Sequence, residues 1–365
     1  HMSPLEDATA GIILKQQVAA GLLLCTGTSV ALYGQVITNA GTTLPASQLI
    51  AWTKYAFNLC ICSSVVRWSK SPDPLPNKKP RTLANRQAEL LAAILGLLDV
   101  VSYSLNCLGF PLCGSSLSMV IFAGSGQLFT AITRSILLGK RISSRQTLAV
   151  LIVTVGLILR TTSLATLSTA AMWLRGASAE QGSSDSQSEA GQAVALGAAY
   201  LVASAAGYSL LGVLYEKLFS LPGNTLLHAH VSQRMSTVGL VAVTTYQVLF
   251  TWPNRQRLVL DPWKESGLSW FYAVALHALF GCLFTMHSFV QGRVLERSGA
   301  MTVGVVNAAR AASVTLCSAL FFCQPNSPHQ CLTWRSGLSA LIITLGSALW
   351  VSDSSTPRHR TLKRE

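Results

Sequence analysis

Apolar windows of about twenty residues follow one another in this chain almost without pause, and that pattern leaves very little choice of fold. Twenty helical residues span the hydrocarbon core of a bilayer, where each backbone group has to be satisfied within its own helix. Ten such windows can be placed, at about 17–37, 46–66, 88–109, 113–138, 147–162, 193–214, 226–250, 268–290, 300–322 and 332–351. Apolar residues make up 50% of the 365 and charged residues only 11%, too few to solvate a soluble protein of this size. No window alternates with the ten-residue period of an outer-membrane barrel. The expected fold class is therefore an all-α polytopic membrane protein with ten transmembrane helices.

The net charge of +13 would suit a nucleic-acid partner, but its placement argues for topology instead. With the N-terminus cytoplasmic, that side receives Lys15, the cluster from Arg67 to Arg86, Lys140, Arg141, Arg145, Lys217, Arg293, Arg297 and the basic tail Arg358, Arg360, Lys363 and Arg364. The opposite side receives Arg175, Arg255, Arg257, Lys264 and Arg335. This positive-inside bias predicts two cytoplasmic termini, no nucleic-acid partner and contact with anionic membrane lipid. His1 ahead of Met2 is read as a cloning remnant, and no basic segment precedes the first span, which is expected to be retained. A homodimer is left open.

The windows divide five and five around a polar segment. The division predicts an N-terminal segment over 1–15, a first five-helix repeat over 16–162, a non-cytoplasmic loop over 163–191, a second repeat over 192–352 and a tail over 353–365. Within the loop, TLSTAAMWL (166–174) reads as a short interfacial helix and the following Gly/Ser-rich stretch as a linker. The two halves echo each other. Leu151–Leu159 and Leu341–Leu349 share the order Leu-Ile-x-Thr-x-Gly-x-x-Leu at the same place in the fifth and tenth windows. Arg145 and Arg335 each precede the shared glycine by eleven residues. Five spans is an odd number, so two such halves enter the membrane in opposite senses, the inverted-repeat design of secondary transporters.

Four ionisable residues fall near mid-span: Lys54, Asp99, Arg234 and Arg310. A charge at that depth is costly, so it is expected to face a protein interior or an aqueous cavity. Polar residues surround them at helical spacing: Asp99 with Ser102, Tyr103 and Asn106, Arg234 with Gln233 and Thr237, Arg310 with Asn307 and Ser313, Lys54 with Tyr55 and Asn58. Thr26, Ser29 and Tyr33 add a stripe in the first window. The excess of cations suits a phosphorylated anion, and arginine offers a planar fork of donors to it. The expected substrate-binding set is Arg310, Asn307, Arg234, Lys54, Tyr103, Asp99, Tyr33 and Asn58, with Asp99 also able to pair with Lys54 and lock two helices together. His277 and His287 are read as packing histidines, and Arg134 as an anchor at a helix end.

Nine cysteines lie mostly inside windows, where they read as small apolar side chains. Cys60 and Cys62 have no His or acidic companions, so no metal site and no cofactor is expected. Cys107 with Cys113 and Cys323 with Cys331 each flank a short non-cytoplasmic turn and are candidate disulfides. There is no HxxxD, no Gly-x-Ser-x-Gly elbow and no acid/base pair at mid-span, so an enzyme is not expected.

The passage FTAITRSILLGKRISSRQTLAVLIVTVGLIL (Phe129–Leu159), the TGT of Thr26–Thr28 and the five-plus-five order resemble the drug/metabolite transporter superfamily, most closely its nucleotide-sugar transporter branch. The resemblance implies an antiporter exchanging a cytosolic nucleotide sugar for a lumenal nucleoside monophosphate in the Golgi or endoplasmic reticulum. Gly304 and Asn307 match the GALNK sequence of GDP-mannose transporters, but the lysine there is Ala308 here and no FYND sequence occurs, which argues against that substrate. The alternatives are an exporter of small metabolites or amino acids, as among bacterial relatives, and a membrane receptor or scaffold.

Overall fold

The structure is a computed structural model and describes residues 4–68, 83–139, 143–161, 185–221, 228–324 and 330–355. Among them the regular structure is entirely helical: α1 (Pro4–Ala40), α2 (Leu49–Trp68), α3 (Leu83–Leu138), α4 (Ser144–Thr161), α5 (Asp185–Phe219), α6 (His228–Tyr246), α7 (Trp270–Phe322) and α8 (Trp334–Ser355). Six stretches of these residues are long and apolar enough to cross a bilayer. Their apolar side chains point outward as well as inward. On α4, Leu148, Leu151, Val155 and Ile158 are each more than half exposed at helical spacing, a stripe that water would penalise and lipid accepts. The chain is a polytopic membrane protein.

Two helices are far too long to cross once, and each breaks at a glycine. Gly114 in α3 has φ 70° and ψ 167°, and Gly299 in α7 has φ 78° and ψ 171°, conformations that a side chain would strain. At the first break the chain folds back: Ser118 Oγ donates to the carbonyl of Phe110, 3.4 Å away, which a straight helix would hold about 12 Å off along its axis. Helix α7 runs on through 291–298, where the sequence pattern predicts a loop, because Gln291, Val294 and Leu295 continue the inward face. Helix α5 likewise starts at Asp185, within the stretch expected to be a linker. The expected interfacial helix over 166–174, residues 69–82 and most of the basic tail lie outside the described residues.

Helices α4 and α8 pack on each other through the two segments that resemble one another. A Cβ on Gly156 would lie 2.8 Å from Ile343 and 3.1 Å from Ile342, and one on Gly346 would lie 2.8 Å from Val153 and 3.1 Å from Ile152. Each glycine thus meets the counterparts of the residues that meet the other. Ser339 Oγ adds a hydrogen bond to the Gly156 carbonyl at 2.7 Å. Inside the bundle, Leu23 of α1, Leu95 of α3, Leu218 of α5, Val231 of α6 and Val294 and Val306 of α7 share one core. Cys323 and Cys331 form a disulfide across the α7–α8 connection, with Cα atoms 4.6 Å apart. Cys107 and Cys113 are free thiols.

Candidate functional site

The core opens into a central cavity of about 210 Å³, lined by α1, both arms of α3, α5, both arms of α7 and Ile50 of α2. Helices α4, α6 and α8 contribute nothing to its wall. The breaks at Gly114 and Gly299 matter here, because each lets two arms of one helix face the same space. Aromatic rings from Tyr103, Phe122, Tyr208 and Phe284 supply much of the wall, and Asn106, Gln127, Gln291 and Asn307 supply side-chain amides. Gln127 is tied down, donating to Ser347 Oγ at 2.8 Å and to the Gly304 carbonyl at 3.3 Å. The amides of Asn106, Gln291 and Asn307 have no hydrogen-bond partner among the described residues.

Among the described lining residues the one charge is Arg310. Its side chain is buried, and its Nη1 donates to His287 Nε2 at 3.2 Å. No carboxylate among the described residues pairs with it, and its buried Nε has no partner. An unsatisfied charged donor inside a protein is costly. Arg310 fits because Gly27 of α1 leaves room: a Cβ there would lie 2.5 Å from Arg310 Cδ and 2.9 Å from His287 Cε1.

Lys54 behaves in the opposite way. It reaches Asp99 from α2 at 2.8 Å, both side chains are nearly inaccessible, and Tyr55 donates its hydroxyl proton to the same carboxylate at 2.9 Å. The ammonium also sits 3.9 Å from the Tyr103 ring centroid and 4.9 Å from that of Phe284. Neither Lys54 nor Asp99 lines the cavity, whereas Tyr103 covers the pair and does.

Of the residues singled out from sequence, the structure thus brings Arg310, Asn307 and Tyr103 together on one wall, with Lys54 and Asp99 directly behind Tyr103. It separates the other three. Asn58 ties α2 to α6, donating to Ser236 Oγ at 2.7 Å and Ser232 Oγ at 3.3 Å. Tyr33 is half-buried in the apolar cluster of Ile37, Leu276 and Phe280, beside the lining residue Gly34 but not itself in the wall. Arg234 is exposed on α6, a helix that does not reach the cavity. His287, read from sequence as a packing residue, holds the Arg310 guanidinium, while His277 contacts the Ala273 carbonyl at 2.9 Å and stays out of the wall. The amides of Gln127, inside an apolar window, and of Gln291, just past the end of one, were the signal available for the wall residues that sequence reasoning passed over. Among the described residues no group of His, Cys, Asp and Glu gathers to hold a metal.

Different contacts flank the cavity at its two ends. At the Gly114 end, Gln35 Oε1 of α1 accepts from the backbone N–H of Ser115 at 2.8 Å, and Ser115 and Ser318 share a hydrogen bond of 2.8 Å beside Gln330. Some nineteen residues further along the same arm, Arg134 forms an ion pair of 3.2 Å with Glu216 of α5, next to Gly299.

A polytopic helical bundle around a largely apolar cavity, whose described wall holds a buried cation without a carboxylate partner, has the construction of a membrane transporter. The chain matches the UAA transporter family over residues 65–354 and belongs to it. Members of that family are transporters, not enzymes. A crystal structure of a protein shares the fold, with a TM-score of 0.51 at 13% identity over 95% of this chain and 99% of that one. No curated protein gives a significant match.

Proposed function

We propose that this transporter is an alternating-access antiporter of a nucleotide sugar or a related phosphorylated organic anion. The observation that carries the reading is Arg310: a buried guanidinium that, among the described residues, has no carboxylate and an unpartnered Nε, facing a cavity whose wall also holds the amides of Asn106, Gln291 and Asn307. A phosphate supplies several acceptors for such a fork, and the amides and the rings of Tyr103 and Tyr208 can engage a sugar and a base. In this reading Arg310 binds phosphate, Asn307 and Tyr103 orient the remainder, and the Lys54–Asp99 pair stiffens the wall behind Tyr103.

Alternating access is carried here by ten spans in two inverted five-helix repeats. Support comes from the reciprocal contact of Gly156 and Gly346 and from the like breaks at Gly114 and Gly299. The ends of the cavity are its gates. Both termini are cytoplasmic and the protein resides in the Golgi or endoplasmic reticulum, which places the Cys323–Cys331 disulfide on the oxidising, lumenal side. The test is a thermal-shift screen of the purified chain with nucleotides, nucleotide sugars and sugar phosphates, followed by exchange in proteoliposomes. At least one phosphorylated compound should raise the melting temperature of the wild type but not of Arg310→Ala, and should be exchanged. Equal responses from both proteins would sink the assignment.

A further inference from the structure

Resting on Arg310 as the anion receptor, we propose that His287 is its positioning residue, a neutral ring that fixes the guanidinium and leaves its charge for the ligand. Arg310 Nη1 lies 3.2 Å from His287 Nε2. A guanidinium has five donors and no acceptor, so Nε2 must offer its lone pair and cannot carry a proton. The proton of the neutral ring therefore sits on Nδ1, which lies 3.1 Å from Thr26 Oγ1. Thr26 in turn donates to the Leu22 carbonyl at 2.7 Å. Every proton in this chain of contacts has one direction, running from the second arm of α7 through its first arm to α1.

The arrangement orients a cation without neutralising it. A carboxylate in place of His287 would fix the guanidinium equally well but would cancel the charge that the ligand needs. A neutral imidazole accepts one hydrogen bond, fixes the plane of the fork and leaves the positive charge directed at the cavity. A doubly protonated ring could not serve, because it has no lone pair and would set two cations against each other in a buried place.

Among the described residues no second charge touches His287. His287 is packed against Arg310 from the second arm of α7, Thr26 and Gly27 from α1, and Phe284 on its own arm. Beyond Phe284 lies Lys54, already paired with Asp99. Tyr208 of α5 lines the same cavity.

The test measures binding of uridine- and guanosine-diphosphate sugars to the full chain in detergent at neutral pH, with a thermal melt of each unliganded variant beside it. His287→Gln can accept from Arg310 and donate to Thr26, so it should bind within about threefold of wild type. His287→Phe fills the space without an acceptor and should lose roughly tenfold in affinity, the worth of one hydrogen bond to a charged group.

Wild-type affinity in His287→Phe, or a loss of roughly tenfold in His287→Gln, would overturn the proposal. The affinity of His287→Gln decides even where His287→Phe does not fold. Arg310→Ala separates the two readings. If it binds both sugars as wild type does, or if neither sugar binds wild type, the anion site itself is wrong and the role of His287 falls with it. If Arg310→Ala abolishes binding while the His287 variants match wild type, only the positioning role fails.

Discussion

Lys54 and Arg310 are both cations buried at the middle of apolar helices, yet the protein treats them in opposite ways. Lys54 is given a carboxylate at 2.8 Å, a tyrosine hydroxyl on that same carboxylate and aromatic faces around its ammonium. Arg310 is given a neutral imidazole, a glycine that makes room for it and an open cavity. Burial alone therefore does not mark a binding residue. A cation whose charge is spent inside the fold holds helices together, and one whose charge is left over faces what the fold does not contain.

The largest consequence falls on Lys54. Replacing it with Ala strands Asp99 in a buried site, and breaking a buried pair in this way costs about 3–5 kcal/mol. A thermal melt in detergent should show Lys54→Ala as severely destabilised, while Lys54→Met combined with Asp99→Leu recovers most of the loss, because the pair is then replaced by apolar volume. A stable Lys54→Ala that fails only in transport would erase the contrast between the two cations.

Next comes Gly27, which tests whether Arg310 is held by packing rather than by pairing. An added Cβ would press on Arg310 Cδ and His287 Cε1, and overpacking of this kind costs about 1–3 kcal/mol. Gly27→Ala should melt lower and bind phosphorylated ligands more weakly, because the side chain with an open cavity beside it is the one that moves. A variant that binds ligand as wild type does would show that the guanidinium needs no such confinement.

The fold was legible in the sequence to the extent that it depends on the length of apolar windows and on charges inside them. Lys54, Asp99 and Arg310 announce themselves, and so does the shared segment around Gly156 and Gly346. What the windows do not record is direction. Arg234 has polar neighbours at helical spacing just as Arg310 does, yet it is exposed on a helix that never reaches the cavity. Depth and periodicity give a residue's height and its side of a helix, whereas the neighbour on that side is fixed only by tertiary packing. The continuity of α7 through 291–298 was hidden for a similar reason: charged residues there suggest a loop, while Val294 and Leu295 bury an inward face. His287 was read as a packing residue because nothing in its own window shows that a guanidinium twenty-three residues later will rest on it.

A smaller effect is expected from exchanging the charge carrier without removing the charge. Arg310→Lys keeps a cation in the cavity but loses the planar fork and the donor that His287 accepts, so ligand affinity should fall about tenfold while the unliganded melt is unchanged. If the lysine variant bound as well as wild type, a point charge would suffice and the geometry around His287 would be idle.

The smallest effect comes from a third cation that lies between the two extremes. Arg134 has a carboxylate, like Lys54, but its side chain is 25% exposed and that of Glu216 is 16% exposed. Water reaches more of this pair than of Lys54 and Asp99, so breaking it costs less than the about 3–5 kcal/mol of a fully buried pair. Arg134→Gln should therefore melt within a few degrees of wild type, far from the loss predicted for Lys54→Ala. The site sits at one end of the cavity beside Gly299, so the same variant should alter exchange rate more than stability if this end opens and closes. A loss of stability as large as that of Lys54→Ala would mean that pairing alone, irrespective of exposure, decides what a cation is worth in this protein. The distinction between Lys54 and Arg310 would then rest on Asp99 and on nothing else.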